Sequence, residues 1–126
     1  MNGCEYLAGK SVLMVDDEEI VGDVIKEVLL PAVSVLDVVG DGAEALARIV
    51  ERDYDIILLD IEMPKMSGME FFRHLKNMKP HLASRTIFIT GDTETPSTRS
   101  FILKSGCRYL DKPFMIRDLL KTMAGL

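Results

Sequence analysis

The chain has no tryptophan and only two cysteines among its 126 residues. Nor does any apolar run approach the ~20 residues a membrane span requires, so no membrane insertion is expected. Cys4 and Cys107 show no metal-ligand spacing and no disulfide framework. Cys107, beside apolar neighbours, reads as a small core residue, and Cys4 falls in a loose tail. Such sparing use of cysteine fits a reducing compartment, and a cytoplasmic chain is expected. Met1 to Lys10 lack the basic-then-apolar pattern of a signal peptide, which argues against export. Lysine and arginine form no run, and 20 acidic residues against 15 basic ones leave a net charge of −5. Direct nucleic-acid binding needs an electropositive face and is therefore not expected. Repeats, low-complexity tracts and Pro/Ser-rich linkers are missing too.

What is present fits one compact domain. Residues 11–15 (SVLMV), 33–39, 56–59 (IILL), 86–89 (TIFI) and 108–110 read as strands. Several are apolar at consecutive positions, as a parallel sheet covered on both faces demands. Between them run helical periodicities: Val21, Val24, Ile25 and Val28; Ala43, Leu46, Ala47 and Val50; Gly68, Phe71, Phe72 and Leu75; Ile116, Leu119, Leu120 and Met123. Asp41 is placed to cap the second helix, and Ser67 with Glu70 forms a capping box for the third. Thr95-Pro96 opens a fourth helix and Gly106 closes it. Five strands alternating with five helices, joined by right-handed crossovers, predict an α/β, doubly wound three-layer sandwich. Ligands in such folds sit outside the carboxyl ends of the strands.

Chemistry-bearing residues gather at that edge. Asp16 and Asp17 follow the first strand, Asp60 the third, Thr90 the fourth, and Asp111 with Lys112 the fifth. Three converging aspartates repel one another unless a cation joins them. Oxygen-only ligands favour a hard ion, and Mg²⁺ uses few carboxylates while leaving positions open for a phosphoryl oxygen. Lys112 adds positive charge, Thr90 a hydroxyl, and Asp60 an oxygen nucleophile able to form an acyl phosphate. No catalytic histidine is required, and His74, in a helix, and His81, in the loop after it, read as surface residues. Singly, each of these residues has a plainer role, Asp16 or Asp17 as a helix cap and Lys112 as a solvated loop residue. Together on one edge they favour phosphoryl chemistry.

These residues resemble the receiver domains of response regulators and hybrid histidine kinases. The likeness rests on LMVDDEE, IILLDIEMPKMSG, FITGD and YLDKPF, and it covers residues 10–126, leaving 1–9 as an N-terminal tail. It implies a flavodoxin-like, five-stranded parallel sheet in the order 2-1-3-4-5, flanked by five helices. It also implies that Asp60 is the phosphoacceptor, taking its phosphoryl group from a phosphohistidine on a histidine kinase or histidine phosphotransfer protein. By the same resemblance Asp17 and Asp60 bind Mg²⁺ (or Mn²⁺) directly, Asp16 partly through water, and the Glu62 backbone carbonyl completes the set. Thr90 and Lys112 hold the phosphoryl oxygens. Tyr109 is the aromatic switch, turning inward when Thr90 moves, and a cis Lys112-Pro113 bond aims the lysine. The domain is then not an enzyme in the usual sense but assists its own Mg-dependent phosphorylation and dephosphorylation. Glu62 and Asp92 lie near the path of an attacking water and are expected to set the phosphoryl lifetime. Arg99, Lys104, Arg117, Asp118 and Lys121 form either an output surface or an ordinary solvated face. A homodimer through the fourth helix, fifth strand and fifth helix is compatible with the pattern.

Other readings compete. Residues 40–45 (GDGAEA) fit G-x-G-x-x-A after a strand, but they follow the second strand and have Asp16, Asp17 and Asp41 nearby to repel a pyrophosphate. Asp60 and Glu62 could be the carboxylate pair of a metal-dependent hydrolase, though so short a chain leaves little room for a substrate pocket. A receiver-like docking module without phosphorylation is a third reading, against which all the required residue types are present. Met63, Met66 and Met69 suggest a soft-metal site less readily than they suggest packing.

Overall fold

The computed structural model describes residues 5–63 and 65–126. β1 (Ser11–Val15), β2 (Val35–Val39), β3 (Ile56–Asp60), β4 (Thr86–Thr90) and β5 (Arg108–Asp111) make one parallel sheet in the order β2-β1-β3-β4-β5. Around it lie α1 (Glu19–Leu29), α2 (Gly42–Glu51), α3 (Gly68–Met78), α4 (Pro80–Ala83), α5 (Pro96–Ser105) and α6 (Ile116–Ala124). The expected doubly wound order therefore holds, with six α-helices among the described residues rather than five. The addition is α4, a single turn too short to carry a periodicity; it places His81 in a helix rather than a loop, still exposed.

Burial follows the pleat. Leu13, Val15, Ile57, Leu59 and Phe88 meet Ala45, Ile49, Phe71, Leu75 and Ile102 on one face. Val12, Met14, Ile56, Leu58, Ile87 and Ile89 meet Ile25, Leu29, Leu119 and Met123 on the other. Alternate strand residues thus feed two cores, so β3 and β4 are buried at every position. Phe72, Phe88 and Phe101 form an edge-to-face cluster with centroids 5.0 to 5.7 Å apart. Truncating a side chain buried like Phe88 typically costs about 3–5 kcal/mol.

Two helix faces differ from expectation. On α2 the buried stripe is Gly42, Ala45 and Ile49, one register away from Ala43, Leu46, Ala47 and Val50, and Val50 is 68% exposed. This helix is apolar at most positions, so two stripes fit the same period, and the one carrying the bulky Ile49 packs inward. On α1, Gly22, Ile25 and Leu29 are buried while Val24 faces outward. The stripe on α3 is as predicted, and α6 buries Leu119 and Met123 with Leu120 partly covered. Asp41 accepts from the Glu44 amide at 2.8 Å and Ser67 from the Glu70 amide at 3.3 Å. Gly106 ends α5 at φ 72°, a left-handed conformation suited to glycine.

The packed unit also begins earlier than residue 10. Glu5–Leu7 form a 3₁₀ turn, Leu7 is completely buried, and the Tyr6 hydroxyl donates to the Leu120 carbonyl. The tail expected over 1–9 is thus tied down from Glu5 onward, because Leu7 fills the core between β1 and α6. Cys4 lies outside the described residues. Cys107 packs, half-buried, against the core. Among the described residues no helix is long and apolar enough to cross a membrane.

Candidate functional site

At the carboxyl ends of β1 and β3 the chain leaves the sheet through turns that each aspartate braces itself. Asp16 Oδ1 accepts the Glu18 amide at 2.8 Å, and Asp60 Oδ1 accepts the Glu62 amide at 3.0 Å. With one oxygen committed to its own turn, each carboxylate presents Oδ2 to the space between the strands. Lys112 Nζ enters that space from beyond β5, 3.0 Å from Asp16 Oδ2, 3.2 Å from Asp60 Oδ2 and 2.5 Å from Glu18 Oε1. The Lys112-Pro113 peptide is cis, as expected. Register draws the last strands together too: Asp60 pairs with Ile89 and Thr90 with Asp111.

The floor is tight. A Cβ on Gly68 would lie 2.3 Å from the Asp60 carbonyl oxygen and 2.7 Å from Ile61 Cα. The first turn of α3 therefore rests directly on the main chain that carries Asp60, and only glycine fits there.

Charge is unevenly supplied. Carboxylate oxygens of Asp16, Asp17 and Asp60 all lie within 4.8 Å of one another, and Glu18 adds a fourth acid against the single ammonium of Lys112. Asp16 and Asp60 are 4% and 2% exposed, whereas Asp17 is open to solvent. Two carboxylates about 4 Å apart repel by about 4 kcal/mol at the effective dielectric of a protein rim. Burial, reinforced by the Asp16 charge, pushes the Asp60 carboxyl up to about 6, although the Glu62 amide and Lys112 pull it down. Burial acts against the Lys112 charge, but the hydrogen-bonded Glu18 and the adjacent Asp16 and Asp60 carboxylates outweigh it and hold its pKa above the usual lysine range. Asp16 Oδ2 is buried with no hydrogen-bond partner, since Lys112 approaches it as an ion pair outside hydrogen-bond alignment. A buried anionic oxygen left over in an all-oxygen cluster is what a hard divalent cation would satisfy, so the residues fit a metal of that class.

Around this centre, Thr90 is fully buried. Its hydroxyl donates to Glu62 Oε1 at 2.6 Å and accepts from the Asp92 amide at 3.0 Å. Asp92 Oδ1 accepts the Glu94 and Thr95 amides, and Oδ2 the Thr95 hydroxyl; these bonds hold its carboxyl below the usual range. Tyr109 is 48% exposed and lines an open cavity of about 310 Å³ with Thr93, Glu94, Arg99, Ile102 and Leu103. Arg99, Lys104, Arg117, Asp118 and Lys121 are all exposed. Residues 40–45 are used structurally: Asp41 caps α2, and a Cβ on Gly42 would collide with Met66. Met63, Met66 and Met69 pack against the core.

Structure thus brings together Asp16, Asp17, Asp60 and Lys112, with Thr90 joined to them through Glu62. Two participants escaped the sequence reading. Glu18 is the nearest anion to Lys112, and its only sequence signal was adjacency to the aspartate pair. The Glu62 side chain, as distinct from its carbonyl, binds Thr90.

A doubly wound sheet with paired acids, a strand-end threonine and a lysine at its carboxyl rim defines the receiver class, and the chain belongs to the response regulator receiver domains of two-component systems: that family's model matches residues 12–124. Among curated proteins it is 30% identical over 115 residues to the transcriptional regulatory protein CutR of Streptomyces coelicolor, covering 91% of this chain and 52% of that protein. It is 40% identical over 72 residues to a protein-glutamate methylesterase/protein-glutamine glutaminase of Chromobacterium violaceum, covering 56% of this chain and 20% of that one. The chain therefore spans about half, or less, of the length of these relatives. Among solved structures it resembles the chemotaxis protein CheY4 of Vibrio cholerae, with TM-score 0.81, 29% identity and coverage of 93% and 98% of the two chains. It also resembles the receiver domain of the histidine kinase CKI1 of Arabidopsis thaliana, solved in complex with Mg²⁺ and BeF₃⁻, with TM-score 0.81, 26% identity and coverage of 98% and 93%.

Proposed function

We propose that Asp60 accepts a phosphoryl group from a phosphohistidine of a histidine kinase or phosphotransfer protein. The observation that carries this reading is the buried Asp60 carboxylate, held by one oxygen in its own turn and presenting the other to Lys112 beside Asp16 and Asp17. A carboxylate with a pKa near 6 is mostly ionised at neutral pH yet more basic than an ordinary aspartate, which suits a nucleophile. An Asp60 oxygen forms the new bond to phosphorus while the phosphorus–nitrogen bond of phosphohistidine breaks. The electron pair leaves to the imidazole nitrogen, which takes up a proton.

Lys112 keeps its charge through this step, turning from Asp60 toward the phosphoryl oxygens, and Thr90 supplies a hydroxyl donor. Asp16, Asp17, Asp60 and the Glu62 carbonyl would hold Mg²⁺ (or Mn²⁺); the Arabidopsis receiver that this chain resembles was solved with Mg²⁺ and a beryllofluoride. The chemistry such an ion supplies is neutralisation of the surplus negative charge and a coordination site for a phosphoryl oxygen. The domain turns over only the group it carries, assisting its own phosphorylation and dephosphorylation. Phosphorylation then biases a two-state element in which Thr90 moves toward Asp60 and the outward Tyr109 turns in.

The test is incubation with Mg²⁺ and acetyl phosphate, followed by intact-mass and peptide analysis. One phosphoryl group per chain on Asp60 is expected, missing in Asp60→Asn and after chelation. An adduct that survives in Asp60→Asn, or steady turnover of a phosphate ester without any adduct, would overturn the reading.

A further inference from the structure

Glu62 follows Asp60 by two residues and is exposed, yet one of its oxygens is held by two donors of the next strand end. The Thr90 hydroxyl donates to Glu62 Oε1 at 2.6 Å, and the Gly91 amide donates to the same oxygen at 3.2 Å. The first distance is that of a charge-assisted bond. A hydroxyl and the following amide converging on one anionic oxygen form a small cradle for an oxyanion. In this chain a side chain of the neighbouring turn fills it.

Resting on the phosphoacceptor reading, we propose that the Glu62 carboxylate is a built-in competitor of the phosphoryl group, holding the Thr90 hydroxyl and Gly91 amide until phosphorylation of Asp60 displaces it. Both ends of Glu62 take part. Its amide donates to Asp60 Oδ1 at 3.0 Å, and its carboxylate reaches Thr90, so the nucleophile and the threonine are joined through a single residue. A phosphoryl group on Asp60 carries about −2 charge and strong acceptor oxygens. It competes with Glu62 for the same hydroxyl and repels the carboxylate at close range. Thr90 has one proton to give, and while Glu62 holds it the threonine is withheld from Asp60. The Asp92 carboxylate does not share this part, because it is engaged with Glu94 and Thr95, and the Asp92 carbonyl is a more distant second acceptor for the Thr90 hydroxyl at 3.3 Å.

Glu62 is thus a positioning residue whose resting contact raises the cost of the phosphorylated arrangement. Removing a charge-assisted bond at a solvent-facing rim is worth about a factor of ten or less in an equilibrium. Two readouts on the whole chain test this. In the resting protein without metal, Glu62→Ala shifts the Gly91 amide proton upfield as its acceptor is lost, and Glu62→Gln shifts it less. With Mg²⁺ and beryllofluoride as the phosphoryl mimic, Glu62→Ala binds the mimic about tenfold more tightly than wild type, with Glu62→Gln in between. In a Thr90→Val background the gain from Glu62→Ala shrinks, because the contested hydroxyl is gone.

A Gly91 resonance unchanged in Glu62→Ala would show that the contact is not formed, and would overturn the proposal. So would unchanged or weaker mimic binding after the resonance has moved, or an equal gain with and without the Thr90 hydroxyl. Wild-type protein that binds no mimic and takes no phosphoryl group would overturn the phosphoacceptor reading itself, whatever the Gly91 resonance shows.

Discussion

The two ends of the sheet handle acidic residues in opposite ways. At the amino end, Asp55 Oδ2 accepts the Ser11 amide at 2.9 Å and its hydroxyl at 3.3 Å, while Arg85 donates to the Asp55 carbonyl at 2.6 Å. On the edge strand nearby, Asp37 Oδ2 takes the Tyr54 hydroxyl at 2.5 Å and Arg52 at 3.3 Å. Each of these acids has donors suited to it. At the carboxyl end, Asp16, Glu18 and Asp60 share Lys112, Asp17 crowds the same space, and one buried oxygen has no hydrogen bond. One end completes the fold; the other stores electrostatic repulsion that a bound cation would relieve. Burial alone does not distinguish the two ends; the shortage of partners does.

Neutralising an acid at the two ends should therefore change stability with opposite signs. The largest effect is expected for Asp60→Asn in metal-free buffer at pH 7. A rise of the Asp60 pKa to about 6 corresponds to up to about 3 kcal/mol of native-state cost that asparagine removes. The sign follows from proton linkage: the folded state holds this proton more tightly, so wild-type stability falls as pH climbs from about 4 to about 6. Urea melts across that range should show the slope in wild type and its loss in the variant, and millimolar Mg²⁺ should stabilise only wild type. Equal midpoints at pH 7 would mean that Lys112 already relieves the repulsion.

At the other end, Asp55→Ala should destabilise by about 1–2 kcal/mol, because the Ser11 amide loses its acceptor at the start of β1. The same melts measure it, and a stabilised variant would remove the contrast. The smallest effect is expected at Tyr54. Tyr54→Phe should cost about 1 kcal/mol at neutral pH. Burial and the Asp37 bond hold the Tyr54 hydroxyl above the usual tyrosine range, so this contribution is complete below about pH 10 and fades above it. Wild type and variant should converge in alkaline melts.

Most of the fold was legible because both cores follow simple periods. Continuous apolar runs marked β3 and β4, and Phe71, Phe72 and Leu75 left α3 no alternative face. Where periodicity was degenerate, as on α2, the sequence allowed two stripes and packing chose between them. α4 and Leu7 were missed because a four-residue turn and one apolar residue in a polar stretch carry no period. At the site, Asp16, Asp60, Thr90 and Lys112 were legible from their places at strand ends. Glu18 and the Glu62 carboxylate were not, since a flexible side chain in a loop has no preferred direction until its donors, here Lys112 and Thr90, are placed.

The missing side chain at Gly68 bears on how this rim can move. With the Asp60 carbonyl pressed against it, the start of α3 has no slack to absorb a shift of the Asp60 main chain. A displacement of the Asp60 main chain thus finds a stiff wall on the α3 side. Under the proposed phosphoacceptor role, that wall would leave displacement to the side where Glu62 joins Asp60 to Thr90.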